Sequence, residues 1–232
     1  MTSKRSVAGS DLGRKKKSKK LALSTSEVFN TIQLLKKYYP DAHCELNYRN
    51  PFELLIATIL SAQCTDVMVN KVTKDLFAKY PTAESLAKAK MESIEPIIKA
   101  TGFYKNKSKN IIECSKRLVE KFNGDVPKTI DELVSLAGVG KKTANVVLGN
   151  AYNIPSGVVV DTHVRRISNR FGWVNEQDPI KIEESLKKLV PVEDWILISH
   201  LLIFHGRRTC KARNPSCAEC FLSSTCPSKS IN

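Results

Sequence analysis

Residues 50–62, NPFELLIATILSA, set the first limit on what this chain can fold into. Asn50 is a helix-capping residue, Pro51 suits the first helical position, and Glu53 falls in the first turn, so a helix starts here. The segment FELLIATILSA that follows is apolar on nearly every side of that helix. A helix with no polar face must be surrounded, so it is expected at the centre of other helices. The chain supplies them. Ser24 and Glu27 have capping-box spacing, and Phe29, Ile32, Leu35 and Tyr39 form an apolar stripe that ends at Pro40. Asp66 is placed to cap a helix with Val69, Val72, Leu76 and Tyr80 at helical spacing. Helical patterns cover 86–100 and 111–122, and Thr129 and Glu132 form a capping box for a short helix ending at Gly138. After Gly140, Ala144, Val147, Leu148 and Ala151 share one face; further helices are expected over 162–171, 181–189 and the apolar WILISHLLIFHG. Val158 to Val160 has strand propensity but no alternating partner nearby, so it is not read as a strand. The expected class is all-α.

Charge narrows the partner. The 232 residues carry 37 Lys and Arg against 23 Asp and Glu, a net +14. Residues 1–20 hold eight basic residues and one acidic, so this stretch carries +7 and the remainder another +7. Both parts suit a polyanion. Residues 1–20 are polar and have no core pattern, and are expected to be a disordered basic tail that contacts phosphates or serves as a sorting signal. No secretory h-region and no apolar run near the ~20 residues of a membrane span are present. A reducing compartment follows, where clustered cysteines bind metal more often than they form disulfides. Four of the seven cysteines, Cys210, Cys217, Cys220 and Cys226, fall within residues 210–226. Spacing alone leaves Zn²⁺ and an iron–sulfur cluster open, since both accept four thiolates. Cys44, Cys64 and Cys114 read as small apolar residues.

The stretch 136–145, LAGVGKKTAN, joins a capped helix to a second amphipathic helix through a Gly-x-Gly turn, a helix-hairpin-helix pattern. Gly138 and Gly140 allow close backbone approach, and the N–H groups of the next helical turn are free to receive a phosphate. Two lysines, Lys141 and Lys142, occupy that turn, against the sign of the helix dipole. A bound anion accounts for one of them. A nucleophilic lysine must give up its proton, which desolvation or neighbouring cations promote. Downstream, VVVDTHVRR sets Asp161 at a helix start, as an N-cap and a candidate carboxylate beside such an amine.

LAGVGKKTANVV, VDTHVRR, HGRRTC and the four-cysteine run together resemble the endonuclease III family of DNA glycosylases with AP-lyase activity, from about residue 24 to 227. The resemblance implies that Lys142 attacks C1′ of a damaged nucleotide to form a Schiff base, with Asp161 activating it and stabilising the sugar cation. It implies a DNA-contact role for Lys141 and a structural [4Fe-4S] cluster on the four cysteines, with Arg207, Arg208, Lys211 and Arg213 held against the DNA backbone. It assigns Gln63, in LSAQCTD, to the space left by the extruded base, and Phe103, in TGFYKNK, to a wedge in the opposite strand. His163 would line the pocket, and His43, His200 and His205 would be structural. Ala137 stands where the family most often has proline.

The resulting expectation is a six-helix domain, 44–154, carrying the hairpin, and a cluster domain built from 22–43 and 155–228, with the active site in the groove between them. The expected function is base excision repair by a monomer: removal of oxidised pyrimidines from double-stranded DNA, then cleavage 3′ to the abasic site by β-elimination, on duplex with damaged bases or abasic sites. It would act in the cytoplasm of a prokaryote, or in the nucleus or mitochondrion of a eukaryote. Two other readings are a monofunctional adenine-mismatch glycosylase, against which Lys142 argues, and a non-enzymatic DNA-binding module with a Cys₄ site, against which Asp161 argues.

Overall fold

A computed structural model describes residues 25–229; the expected basic tail and the Ser24 cap lie outside them. Every regular element among the described residues is helical, and 158–160 is extended without forming a strand. The order is α1 Thr25–Tyr38, α2 Pro51–Leu60, α3 Asp66–Lys79, α4 Ala83–Ala87, α5 Met91–Ile98, α6 Tyr104–Phe122, α7 Ile130–Val134, α8 Lys141–Tyr152, α9 Thr162–Arg170, α10 Pro179–Leu189 and α11 Trp195–Arg208.

Helix α2 is central, as its composition demands. Asn50 caps it by accepting from the Glu53 N–H, and Phe52 through Leu60 are all buried. Each large side chain in that run contributes about 1.5–3 kcal/mol by leaving water. Its core draws on residues 46–148, including Leu76, Leu86, Ile94, Ile111, Leu118, Leu133, Val147 and Leu148. A second core joins α1 to the C-terminal part: Val28, Ile32 and Leu35 meet Val164, Ile167, Ile182, Leu186, Ile198, Leu202, Phe204 and Leu222. The chain returns to α1 because that helix alone could not bury its stripe.

Several boundaries differ from expectation for identifiable reasons. In α1 the buried position is Val28 and Phe29 is exposed, because 28, 32, 35 and 39 make the straighter stripe. Thr65, not Asp66, caps α3, accepting from the Met68 N–H; Asp66 becomes the first helical residue with its carboxylate free to turn elsewhere. The pattern over 86–100 is two helices, since Thr82 caps α4 with Ser85 and a second start follows at Met91. Helix α6 starts seven residues before 111, in the lysine-rich loop.

Candidate active site

The two helices of the hairpin are fixed by local chemistry. Thr129 accepts from the Glu132 N–H at 3.3 Å to start α7, and Val139 N–H donates to Leu136 O to close the turn. Gly138 has φ +77, and a Cβ there would lie 3.0 Å from Asn110 Cβ, so the turn needs glycine on two counts. Gly140 is extended and caps α8 with no side chain, and nothing approaches the space a Cβ would fill. No side chain caps the first N–H groups of α8, the arrangement that accepts an anion.

Lys141 and Lys142 leave that turn in different directions. Lys141 pairs with Glu183 of α10 at 3.2 Å. Glu183 is buried and also accepts from Asn145 Nδ2 at 3.1 Å, while Ser156 Oγ donates to Asn145 Oδ1 at 2.8 Å. Lys142 instead lines a groove of about 750 Å³ together with Asp161 and His163. Asp161 caps α9: its Oδ1 accepts from the Val164 N–H at 2.7 Å, leaving its second oxygen uncommitted to the helix. A larger hollow of about 940 Å³ further along the interface contains neither Lys142 nor Asp161.

Glu45 and Asp66 carry no site role in the sequence reading, and Arg207, expected against the DNA backbone, stands in the groove instead. Asp66 lines the wall with Glu45 and Arg207. Arg207 Nη2 donates to Asp66 Oδ2 at 2.8 Å, and Nη1 pairs with Glu45. Burial, and then repulsion from Asp161, raise the Asp66 carboxyl above its ordinary range, partly offset by Lys142 and His163. The only sequence signal for Asp66 is an acid directly after the polar break AQCT, a position that helix capping also explains. His43, read as structural, is exposed and also lines the groove. Arg208 pairs with Asp41 at 2.8 Å and stacks its guanidinium on Phe204. Of the four basic residues expected against DNA, Arg207 and Arg208 are thus already engaged in ion pairs.

His163 Nδ1 lies 3.2 Å from Arg166 Nη2, which donates to Gly206 O at 2.8 Å and ties α9 to α11. The remaining histidines are internal. His205 meets the Tyr39 hydroxyl at 3.0 Å, and burial pushes its pKa down to about 4. His200 meets Asn150 Oδ1 at 2.8 Å and is pushed down to about 4 by burial, then by His43.

Gln63 and Phe103 share a backbone property. Both are left-handed, with φ +54 and +49, and the other non-glycine residues of positive φ among those described are all asparagine. A left-handed Gln or Phe costs energy that asparagine largely avoids. Gln63 is exposed, and Phe103 is 64% exposed. The loop that holds Phe103 is anchored by Lys107, buried at 5% exposure, whose Nζ donates to Thr101 O at 2.8 Å. Burial pushes the Lys107 ammonium pKa down, offset in part by Cys64.

The four C-terminal cysteines are unpaired and line one small cavity. Among the described residues no three His, Cys, Asp or Glu side chains stand close enough to hold a single metal ion. One tetrahedral ion requires sulfurs about 2.3 Å from a common centre. Four thiolates spread around a cavity suit a cluster in which each iron takes one of them. Arg170 steadies the loop, donating to Lys211 O at 2.7 Å and Ala212 O at 3.0 Å. Cys114 is buried and its thiol is pushed up to about 12, while Cys44 and Cys64 pack partly against the first core.

Comparison with known proteins gives the family. Residues 56–192 match the family described as HhH-GPD superfamily base excision DNA repair protein, and 210–226 match the iron–sulfur binding domain of endonuclease III. The second match begins and ends on Cys210 and Cys226 and spans Cys217 and Cys220, and it marks the chain as the carrier of a [4Fe-4S] cluster. The chain is 50% identical to endonuclease III of Synechocystis over 90% of its length and 96% of the relative. It is 43% identical to that of Escherichia coli over 84% and 92%. A trapped endonuclease III–DNA covalent intermediate is 45% identical and superposes with a TM-score of 0.84, over 89% of this chain and 97% of the other. No helix among the described residues is long and apolar enough to cross a membrane. The chain belongs to the endonuclease III family, base excision repair enzymes that act on DNA as glycosylases and AP lyases.

Proposed function

We propose that this enzyme removes oxidised pyrimidines from duplex DNA through a Schiff base on Lys142 and then cuts the strand 3′ to the lesion by β-elimination, acting as a monomer. The observation that carries the reading is that Lys142 and Asp161, from the first turn of α8 and the cap of α9, line one groove between the two cores. The neutral Lys142 Nζ attacks C1′, and the base departs with the bonding electron pair and takes up a proton. Loss of a proton from nitrogen and opening of the sugar ring give the iminium. Removal of a C2′ proton then breaks the C3′–O bond, and the 3′ phosphate leaves. The uncommitted Asp161 oxygen stabilises the cationic sugar and accepts a proton. Reaction at C1′ requires the nucleotide to leave the stack. Gln63 fills the space it vacates, and Phe103 enters the opposite strand. The uncapped start of α8, with Gly138, Gly140 and the half-exposed Lys141, binds a backbone phosphate. The cluster supplies a structural brace for the loop carrying Lys211 and Arg213.

Borohydride reduces a Schiff base to a stable adduct. The wild-type chain should be trapped on duplex carrying a reduced or oxidised pyrimidine, Lys142→Ala should not, and Lys141→Ala should be trapped at higher protein concentration. Equal trapping by Lys142→Ala would remove the nucleophile from this reading. A panel of duplexes with different lesions, scored for base release and strand cleavage, tests the substrate class.

A further inference from the structure

We infer that the freed base leaves the enzyme at the rear, through a passage along the seam of α8 and α11 that opens into the hollow of about 940 Å³. The inference rests on the Schiff-base reading. There the base departs while C1′ stays bonded to Lys142, so the strand still lies across the mouth of the groove. A base set free behind that strand either returns to C1′ or goes out on the far side. The structure has such a side. Behind Lys142 and Asp161 the groove continues into a neck of about 130 Å³ between the two cores. One water needs only roughly 10–15 Å³, so the neck is a passage and not a seal. His200, Asn150 and Ile196 line both the neck and the rear hollow, and His43 lines all three spaces.

One hydrogen bond stands at the junction of neck and hollow. His200 Nε2 on α11 lies 2.8 Å from Asn150 Oδ1 on α8. Burial keeps His200 uncharged at neutral pH, so the bond is between two neutral groups. Such a bond contributes only about 0.5–1.5 kcal/mol net. A base passing the junction breaks it at small cost, and the amide edge of the base can stand in for either partner. The two helices themselves are closed together at Gly149, where a Cβ would lie 3.2 Å from Ile196 Cγ1. The way past His200 therefore runs along the opposite wall, the irregular segment 42–48 that joins α1 to α2. Beyond it the hollow has the rings of Tyr48 and Phe77 beside the polar groups of His43 and Asn150. Small-molecule sites run from about 300 to 1,000 Å³, so this hollow accepts one base with room to spare. Lys74 and Ala78, both exposed on α3, stand on its lining.

The test holds the strand in place and asks whether the base still escapes. Borohydride fixes the full wild-type chain to a duplex carrying tritiated dihydrothymine, and the strand then cannot lift from the groove. Free base should nevertheless pass out of this adduct and separate from it on a rapid desalting column. Lys74→Trp combined with Ala78→Trp sets two rings at the rear exit. This double variant should keep tritium with the adduct at times when the wild-type adduct has lost it. Lys121→Trp, exposed at the end of α6 and outside the lining of the hollow, should release base as wild type does. Single-turnover cleavage of a duplex with a preformed abasic site should be unchanged in the double variant, because there is no base to release and Lys142 and Asp161 are untouched. Tritium held by the wild-type adduct would overturn the inference. So would equal release from wild type and the double variant, which would place the exit at the front. Failure of the wild-type chain to be trapped at all would instead strike the Schiff-base reading.

Discussion

Lys141 Nζ lies 3.2 Å from Glu183 Oε2, a pair that joins the first turn of α8 to α10. Two adjacent lysines on a helix point about 100° apart, so fixing one constrains the other. With Lys141 drawn toward α10, Lys142 falls on the groove side. Glu183 serves two partners from its buried position, Lys141 and Asn145. Glu183→Ala leaves the Asn145 amide unpaired inside the protein and should cost about 1–3 kcal/mol, read from the urea midpoint. Glu183→Gln keeps the amide bond and should cost less. An unchanged midpoint for Glu183→Ala would show that the pair does not brace α8.

Lys107 is expected to act through Phe103. Its ammonium holds the Thr101 carbonyl, two residues before the left-handed Phe103. Lys107→Met should fold with unchanged helical circular dichroism but extrude the target nucleotide less well, as followed by 2-aminopurine fluorescence. In a Phe103→Ala background the same change should have little further effect. Additive losses would show that Lys107 does not work through the wedge.

Gly206 sits inside α11, where alanine ordinarily favours a helix by about 1 kcal/mol. Here a Cβ would lie 2.9 Å from Arg166 Nη2 and 3.0 Å from His163 Nδ1. Arg166 Nη2 is held by the Gly206 and Cys210 carbonyls, and His163 Nδ1 lies 3.2 Å from that same nitrogen, so movement breaks these bonds. Gly206→Ala should therefore destabilise the fold by about 1–3 kcal/mol. Thermal denaturation decides the sign, and a rise in Tm would refute the crowding argument.

His200 ties stability to pH. Its folded pKa is lowered from 6.5 to about 4, so the neutral form is the one that fits. Below pH 6.5 the unfolded chain takes up a proton that the folded chain refuses. Stability contributed by this site is therefore present above 6.5 and falls as pH drops from 6.5 toward 4. Across that window the slope of unfolding free energy should carry up to about 1.4 kcal/mol per pH unit from this one group. His200→Gln, which can still meet Asn150, should flatten it. Urea titrations at several pH values measure the slope, and an identical slope in the variant would exclude His200 as its source.

The purified protein should be yellow-brown with about four irons and no stoichiometric zinc. Changing Cys217 to Ser should lower iron content and loosen the 210–226 loop, because ligand binding and folding are coupled there. Iron analysis and limited proteolysis read the two effects separately. A colourless, zinc-loaded protein of full activity would contradict the assignment.

The sequence by itself determined the helical class, because period and caps are local: Asn50 and Pro51 start α2, Thr129 starts α7, and the all-apolar α2 demands a centre. It also marked a metal site, since four thiolates within one short loop need no distant partner to be recognised, although their spacing alone left zinc and an iron–sulfur cluster open. Boundaries next to adjacent cap-type residues were less legible: the sequence reading put the cap at Asp66, and the structure places it at Thr65. Tertiary structure decided what local chemistry cannot carry. The groove joins Lys142 to Asp161 across 19 positions of chain, and Arg207 to Glu45 and Asp66 across more than 140. Composition shows Asp66 only as a helix-start acid and Arg207 only as one more base in a basic run. Their pairing depends on how two separately formed cores dock, and no periodicity along the chain encodes that distance.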